Sequence, residues 1–122
     1  MKKVILLIMI ALFSFSGSAS ANYNYTQNWG LGTVHTAGQK QLKLDVYTYS
    51  HYGKSVTVKL MKEGPAGQWT QVFVTGEYLY GLAMHQLTYN VGYLTSGNYK
   101  VEFDVSNDWY QYATRIDDGY LY

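Results

Sequence analysis

From residue 23 onward, hydrophobic and polar positions alternate with a period of two. Leu42, Leu44 and Val46 fall on one side of a run, with Lys43, Asp45, Tyr47 and Tyr49 on the other. Val56, Val58 and Leu60 oppose Thr57, Lys59 and Met61. Leu87, Tyr89 and Val91 alternate with Gln86, Thr88 and Asn90. The cleanest run sets Tyr99, Val101, Phe103 and Val105 against Lys100, Glu102, Asp104 and Ser106. Successive side chains of an extended strand point to opposite faces, so each run predicts a strand with one dry and one wet side.

Other segments fill in around these. Trp69 to Thr75 is apolar on both sides and is expected to be a central or partly occluded strand. A short strand is expected around Tyr23 to Trp29, and a last one over Tyr112 to Ile116. Gly64-Pro65-Ala66-Gly67 has turn chemistry, because Pro fixes φ and the glycines permit positive φ. Asp117-Asp118-Gly119 is expected to close a tight turn before Tyr120-Leu121-Tyr122. No stretch holds the 3.6-residue spacing of a helix. Seven or eight short strands with turn signals every ~8–12 residues predict an all-β fold. The expected architecture is a two-sheet antiparallel β-sandwich of Greek-key or jelly-roll kind. Leu94-Thr-Ser-Gly97-Asn-Tyr99 suits a tyrosine corner, in which the Tyr99 hydroxyl bonds upstream backbone. The alternative is an ordinary inward-facing strand residue. Either reading makes Tyr99 structural.

The first 21 residues follow another pattern. Lys2 and Lys3 precede an unbroken apolar run from Val4 to Phe13, and Ala19-Ser20-Ala21 gives a small-x-small cleavage pattern. The run is shorter than the ~20 residues needed to span a bilayer. Residues 1–21 are therefore expected to be a signal peptide cleaved after Ala21, leaving one domain over residues 22–122. No membrane span is expected in the mature chain, since eight barrel strands of ~9–11 residues would use nearly all of it and leave loops too short. The expected location is outside the cytoplasm, extracellular or periplasmic.

Composition then removes function classes. The 122 residues include no Cys, which excludes a disulfide scaffold, a thiolate zinc site and a thiol nucleophile. Without Lys2 and Lys3, seven basic residues face eight acidic ones, a net charge of −1 that offers nothing to a nucleic-acid backbone. No motif calls for a cofactor.

A family resemblance rests on four segments. Ala37-Gly38-Gln39 leads into the Leu42, Leu44 and Val46 strand, and Ser55-Val-Thr-Val-Lys-Leu60 follows after a turn. Leu94-Thr-Ser-Gly-Asn-Tyr-Lys-Val-Glu-Phe103 and Tyr110-Gln-Tyr-Ala-Thr-Arg-Ile116 close the domain. In this order of hydrophobics, glycines and one Tyr, the chain resembles bacterial pre-peptidase C-terminal modules. The resemblance implies a secreted β-sandwich, of a kind in which some members bind collagen or other polymers through exposed aromatics. Calcium-binding members carry an acidic N-terminal segment, whereas residues 22–44 contain no Asp or Glu.

Candidate chemistry is sparse. His35, His51 and His85 have no local metal-ligand spacing, so no metal site is assigned. Ser50, Ser55, Ser96 and Ser106 lack a nucleophile-elbow context, and no catalytic residue is assigned. Asn107, Asp108, Asp117 and Asp118 suit hydrated loops better than a calcium site. The chain is read as a non-enzyme.

The aromatics stand out, since all 14 Tyr and all three Trp follow residue 22. Tyr89, Tyr99, Phe103 and either Trp69 or Phe73 are expected in the core. Tyr47 and Tyr49 share a face with Lys43 and Asp45. Tyr52 falls in the next turn, Tyr78 and Tyr80 in a connection over residues 77–81, and Trp109 and Tyr110 open the last loop. A tyrosine ring offers a large flat contact at small entropic cost, with a hydroxyl that stays wet. Tyr also covers sheet faces for stability alone. As a set, these seven predict a contact surface for an extracellular polysaccharide or a protein partner. Two other readings stand beside it. One is a self-assembling subunit pairing through edge strands such as 23–29 or 120–122, and the other is a secreted antibacterial or inhibitor protein.

Overall fold

The alternation is realised as two antiparallel sheets packed dry face to dry face. The computed structural model describes residues 23–49 and 53–122. The signal-peptide expectation and the position of Tyr52 lie outside the described residues. Seven strands are present among them: β1 (Tyr23–Val34), β2 (Gly38–Thr48), β3 (Lys54–Glu63), β4 (Trp69–Leu79), β5 (Ala83–Leu94), β6 (Gly97–Asp108) and β7 (Thr114–Leu121). One sheet has the order β1-β6-β3-β4 and the other β5-β2-β7. Only β3 and β4 form a hairpin within a sheet, and every other connection crosses between sheets. The pairs β2–β5 and β3–β6 thus interlock as a Greek-key sandwich does.

The core is built from the alternating apolar positions. Leu42, Leu44 and Val46 of β2 face Val56, Val58 and Leu60 of β3 and Val101, Phe103 and Val105 of β6, all nearly or fully buried. Phe73, Leu87 and Tyr89 are partly buried against this cluster. Tyr99 is buried and its hydroxyl donates to the Thr95 carbonyl at 2.7 Å, which is tyrosine-corner geometry.

Three local expectations are corrected. Trp69–Leu79 is an edge strand, not a central one, with Val72 and Val74 in solvent. Leu60 pairs with Phe73 and Met61 with Gln71, so Val72 is the extra residue of a bulge and its apolar side chain needs no covering sheet. β7 runs straight through Asp117-Asp118-Gly119: Asp45 pairs with Asp118 and Val46 with Ile116, and a bulge at Asp117 replaces the expected turn. Residues 77–79 belong to β4, which leaves only residues 80–82 as the β4–β5 connection. Of the alternatives Trp69 and Phe73, it is Phe73 that packs against the core, while Trp69 stays outside it. Its ring lies under the Lys100 ammonium, 4.7 Å from the centroid.

The two open sides of the sandwich differ. On one side, alternate β1 side chains bond the backbone of β7: the Tyr25 hydroxyl meets Thr114 N at 2.9 Å, Gln27 Oε1 accepts from Ile116 N at 2.9 Å, and Trp29 Nε1 donates to Gly119 O at 3.3 Å. Backbone groups of β7 that would template another strand are thereby occupied. On the other side, β4 and β5 are both sheet edges and carry between them only Glu77 and His85 as acidic or basic residues.

Candidate functional site: an aromatic loop end

Strand register carries the sequence-predicted aromatics to one end of the sandwich. Thr48 pairs with both Ala83 and Thr114, Lys54 pairs with Leu79, and Tyr23 pairs with Asp108. The end of β2, the β4–β5 connection and the β6–β7 loop therefore meet at that end. Two cross-connections tie them: the Thr48 hydroxyl bonds the Gly81 carbonyl, and Tyr49 N donates to Ala113 O at 2.9 Å.

Each loop brings a pair of rings. Tyr47 and Tyr49 stack edge to face at 4.6 Å on the outer face of the β5–β2–β7 sheet. The Arg115 guanidinium carbon lies 5.6 Å and 5.3 Å from their centroids. Tyr78 and Tyr80 lie 6.4 Å apart and are 64% and 70% exposed, too open for a core role. Tyr78 lies over Gly53, where any Cβ would collide with the ring. Trp109 and Tyr110 stack edge to face at 4.6 Å, both exposed.

Beneath the rings the core ends in a polar layer of Tyr25, Thr48, Lys54, Asp108 and Thr114, all buried. Asp108 Oδ2 lies 2.5 Å from the Tyr25 hydroxyl and accepts from Thr114 N at 3.0 Å, while Oδ1 accepts from Trp109 N at 2.9 Å. The bond to Trp109 N ties the loop that carries Trp109 and Tyr110 to the strand framework. Burial, then the Asp108 carboxylate, raises the Tyr25 phenol above its ordinary range. Lys54 Nζ and Thr114 Oγ1 have no hydrogen-bond partner among the described residues. Burial pushes the Lys54 ammonium down, and the nearby Asp108 charge works against that shift.

Other rings at this end were not among the sequence candidates. Tyr23 and Tyr112 are exposed, and Tyr112 packs 4.9 Å from Tyr25. A signal was available in the Tyr-x-Tyr spacing. At 47/49 and 78/80 the middle residue, Thr48 or Leu79, is buried, so both flanking rings share the outer face. The same spacing at Tyr120 and Tyr122 produces a third outward pair at the far end of β7.

His35 is exposed between β1 and β2, while His85 is half-buried on β5. Among the described residues no three His, Asp or Glu side chains come together to hold a metal ion. Asp108 is turned inward, away from Asp117 and Asp118 on β7. No helix among them is long and apolar enough to cross a membrane.

The chain matches no known family model, no curated protein and no solved structure. The arrangement of its own side chains is what bears on function.

Proposed function

We propose that the protein is an exported, non-catalytic binding module that grips an extracellular polymer or a protein surface through its aromatic loop end. The observation that carries this reading is the convergence of Tyr47/Tyr49, Tyr78/Tyr80 and Trp109/Tyr110 on one end, each pair on or beside a strand terminus. Rings held on a rigid frame lose little entropy on contact, so their exposed area converts into affinity. Tyr52 belongs to the same reading from its place in the β2–β3 connection. The pre-peptidase C-terminal resemblance points the same way, toward polymer contact through aromatics.

The test is retention of the purified protein on insoluble peptidoglycan, chitin, cellulose, collagen and whole bacterial cells. Retention on one of these, reduced in a Tyr47→Ala/Tyr49→Ala variant and in a Trp109→Ala/Tyr110→Ala variant, is the expected result. Retention untouched by both variants, or none at all, would overturn it.

A second reading has its own observation. The β4 and β5 edges lie side by side, nearly free of charge, with Val72, Val74, Leu82 and Met84 exposed. An edge this poor in charge, interrupted on β4 only by the Val72 bulge, favours strand addition by a second copy. The edges expected from sequence, 23–29 and 120–122, lie on the other side of the sandwich, where β1 side chains already bond Thr114 N, Ile116 N and Gly119 O of β7. Absence of retention with a large oligomer in sedimentation favours self-assembly. A clean monomer without retention leaves the soluble inhibitor or antibacterial reading.

A further inference from the structure

The outer face of the β5–β2–β7 sheet carries a second set of groups, at the end away from the aromatic loops. A shallow groove of about 440 Å³ is lined there by Gln39, Lys40, Gln41, Asn90 and Tyr122. Gln41 and Asn90 are direct cross-strand partners, and Gln39 pairs with Tyr93, which is exposed. Tyr120 and Tyr122 stand 5.5 Å apart, both exposed. Tyr122 is rigidly based, since its N–H donates to Gln41 O at 3.0 Å and its carbonyl accepts from Gln41 N at 2.8 Å.

The chemistry of this face is selective. Amide side chains offer both donors and acceptors, and an exposed ring offers a flat apolar platform. That combination matches a sugar ring, which has a C–H face to stack and equatorial hydroxyls to bond. Charge narrows the class further. Along the face Lys40, Lys43 and Arg115 stand beside Asp45 and Asp118; Lys43 and Arg115 are already engaged by rings, which leaves Lys40 as the one cation at the groove. Lys43 Nζ lies 5.9 Å from the Tyr120 centroid, and Arg115 sits over Tyr47 and Tyr49. An acidic polymer would meet no free row of cations, and a peptide would find no deep apolar pocket.

We infer that the outer face of the β5–β2–β7 sheet binds an uncharged polysaccharide chain, seated in the groove of Gln39, Gln41 and Asn90 and stacked on Tyr122. The polysaccharide runs along β2, because the next rings on the same face, half-buried Tyr47 and exposed Tyr49, lie six to eight residues beyond Gln41, roughly 20–25 Å at strand rise. The groove at Gln39, Gln41, Asn90 and Tyr122 stands apart from the loop end, and only Tyr47 and Tyr49 are common to both.

The experiment is a titration of the 15N-labelled protein with cellohexaose, with chitohexaose and, as charged and peptidic controls, with an oligogalacturonate and a collagen-type peptide. The expected result is saturable shifts of the Gln41, Asn90, Tyr120 and Tyr122 amides with a neutral hexasaccharide, at a Kd in the ~1 mM range or below. Tyr122→Ala and Asn90→Ala should each weaken that binding by about fivefold to tenfold, roughly 1 kcal/mol or more. Tyr122→Phe keeps the platform and should retain most of the affinity, which guards against a misfolded Ala variant. Three outcomes overturn the inference: no shifts with either neutral sugar, shifts confined to the loop end, or a response only to the charged or peptidic control. Shifts confined to the loop end would sink this site while supporting the proposed function.

Discussion

The Tyr25 hydroxyl lies 2.5 Å from Oδ2 of Asp108, joining positions 83 residues apart in the chain. This contact closes the loop end of the core from beneath, and it also meets the Thr114 backbone, so three strands share one hydroxyl. Tyr25→Phe deletes a bond to a buried carboxylate and should cost about 2 kcal/mol. Thermal melting should fall by roughly 10 °C, measured at neutral pH.

Alkaline pH probes the same group from the other side. Burial raises the Tyr25 and Tyr89 phenols, with Asp108 and Glu77 adding to the effect. In the unfolded chain tyrosine ionises near pH 10, while in the fold both rings stay protonated beyond that. The unfolded state then holds fewer protons, so stability is level below about pH 10 and falls as pH rises past it. Urea titrations at stepped pH should show a shallower fall for Tyr25→Phe than for the native chain.

Gln27 is a less obvious stability residue. It is only half-buried, yet its Oε1 receives the Ile116 N–H at 2.9 Å on the sealed side of the sandwich. Gln27→Ala should cost about 1–2 kcal/mol by stranding that N–H. Gln41→Ala, on the exposed outer face, should change stability by less than about 0.5 kcal/mol. Equal costs in denaturant melts would show that the seal contributes nothing.

Lys54 should respond in the opposite sense. Its ammonium is buried without a hydrogen-bond partner among the described residues, whereas Asp108 keeps three donors of its own. Lys54→Met should therefore stabilise the protein by about 1 kcal/mol at pH 7. A lowered folded value means the unfolded chain binds more protons just below the ordinary lysine range, so native stability climbs with pH through that window. The variant should lose the climb. A less stable variant would show that the pairing with Asp108 outweighs the desolvation.

Asp104 links β1 and β3 on the outer face of the larger sheet, 2.5 Å from the Thr26 hydroxyl and 2.9 Å from Lys59 Nζ. Partial burial disfavours its charge, but the hydroxyl and the ammonium outweigh this and hold the carboxyl below its ordinary range. Its contribution is complete above about pH 4 and is lost as pH falls through the lower folded value. Asp104→Asn should cost less than about 1 kcal/mol at neutral pH, because solvent screens the pair. The variant should lose less stability than the native chain in an acid titration.

The rings of the loop end should be separable from the fold. Tyr47→Ala with Tyr49→Ala removes one edge-to-face contact and the Arg115 stacking, together about 1–2 kcal/mol. Tyr99→Ala, by contrast, empties a fully buried corner and should cost about 3–5 kcal/mol. Melting curves of the two variants would show the difference directly.

The alternation of β2, β3 and β6 was legible because these strands have one dry face and no interruption, so parity holds along their apolar runs. Where parity breaks, the sequence misleads. A bulge lets Asp117-Asp118-Gly119 pass through β7 as strand, although the same residues are good turn formers. The register shift between Tyr23 and Tyr25 accompanies one exposed ring and one buried ring of the same type. The apolar two-sidedness of β4 does not distinguish a covered strand from an edge with exposed valines. At the candidate site, the outward direction of Tyr47 and Tyr49 followed from parity. The meeting of three loops did not, because it depends on sheet order, and neither did the amide-lined groove on the opposite end.

The sealed side of the sandwich also sets an order in time. β1 pairs along its length only with β6, and its inward side chains hydrogen-bond to Asp108 of β6 and to the backbone of β7. The earliest strand in the sequence therefore completes its contacts only once the two latest ones exist. Closing so long a loop is slow for any β fold. A nascent chain halted before Thr114 would hold the whole β1-β6-β3-β4 sheet and the β2–β5 pair, yet lack the β7 backbone groups that the inward side chains of β1 bond.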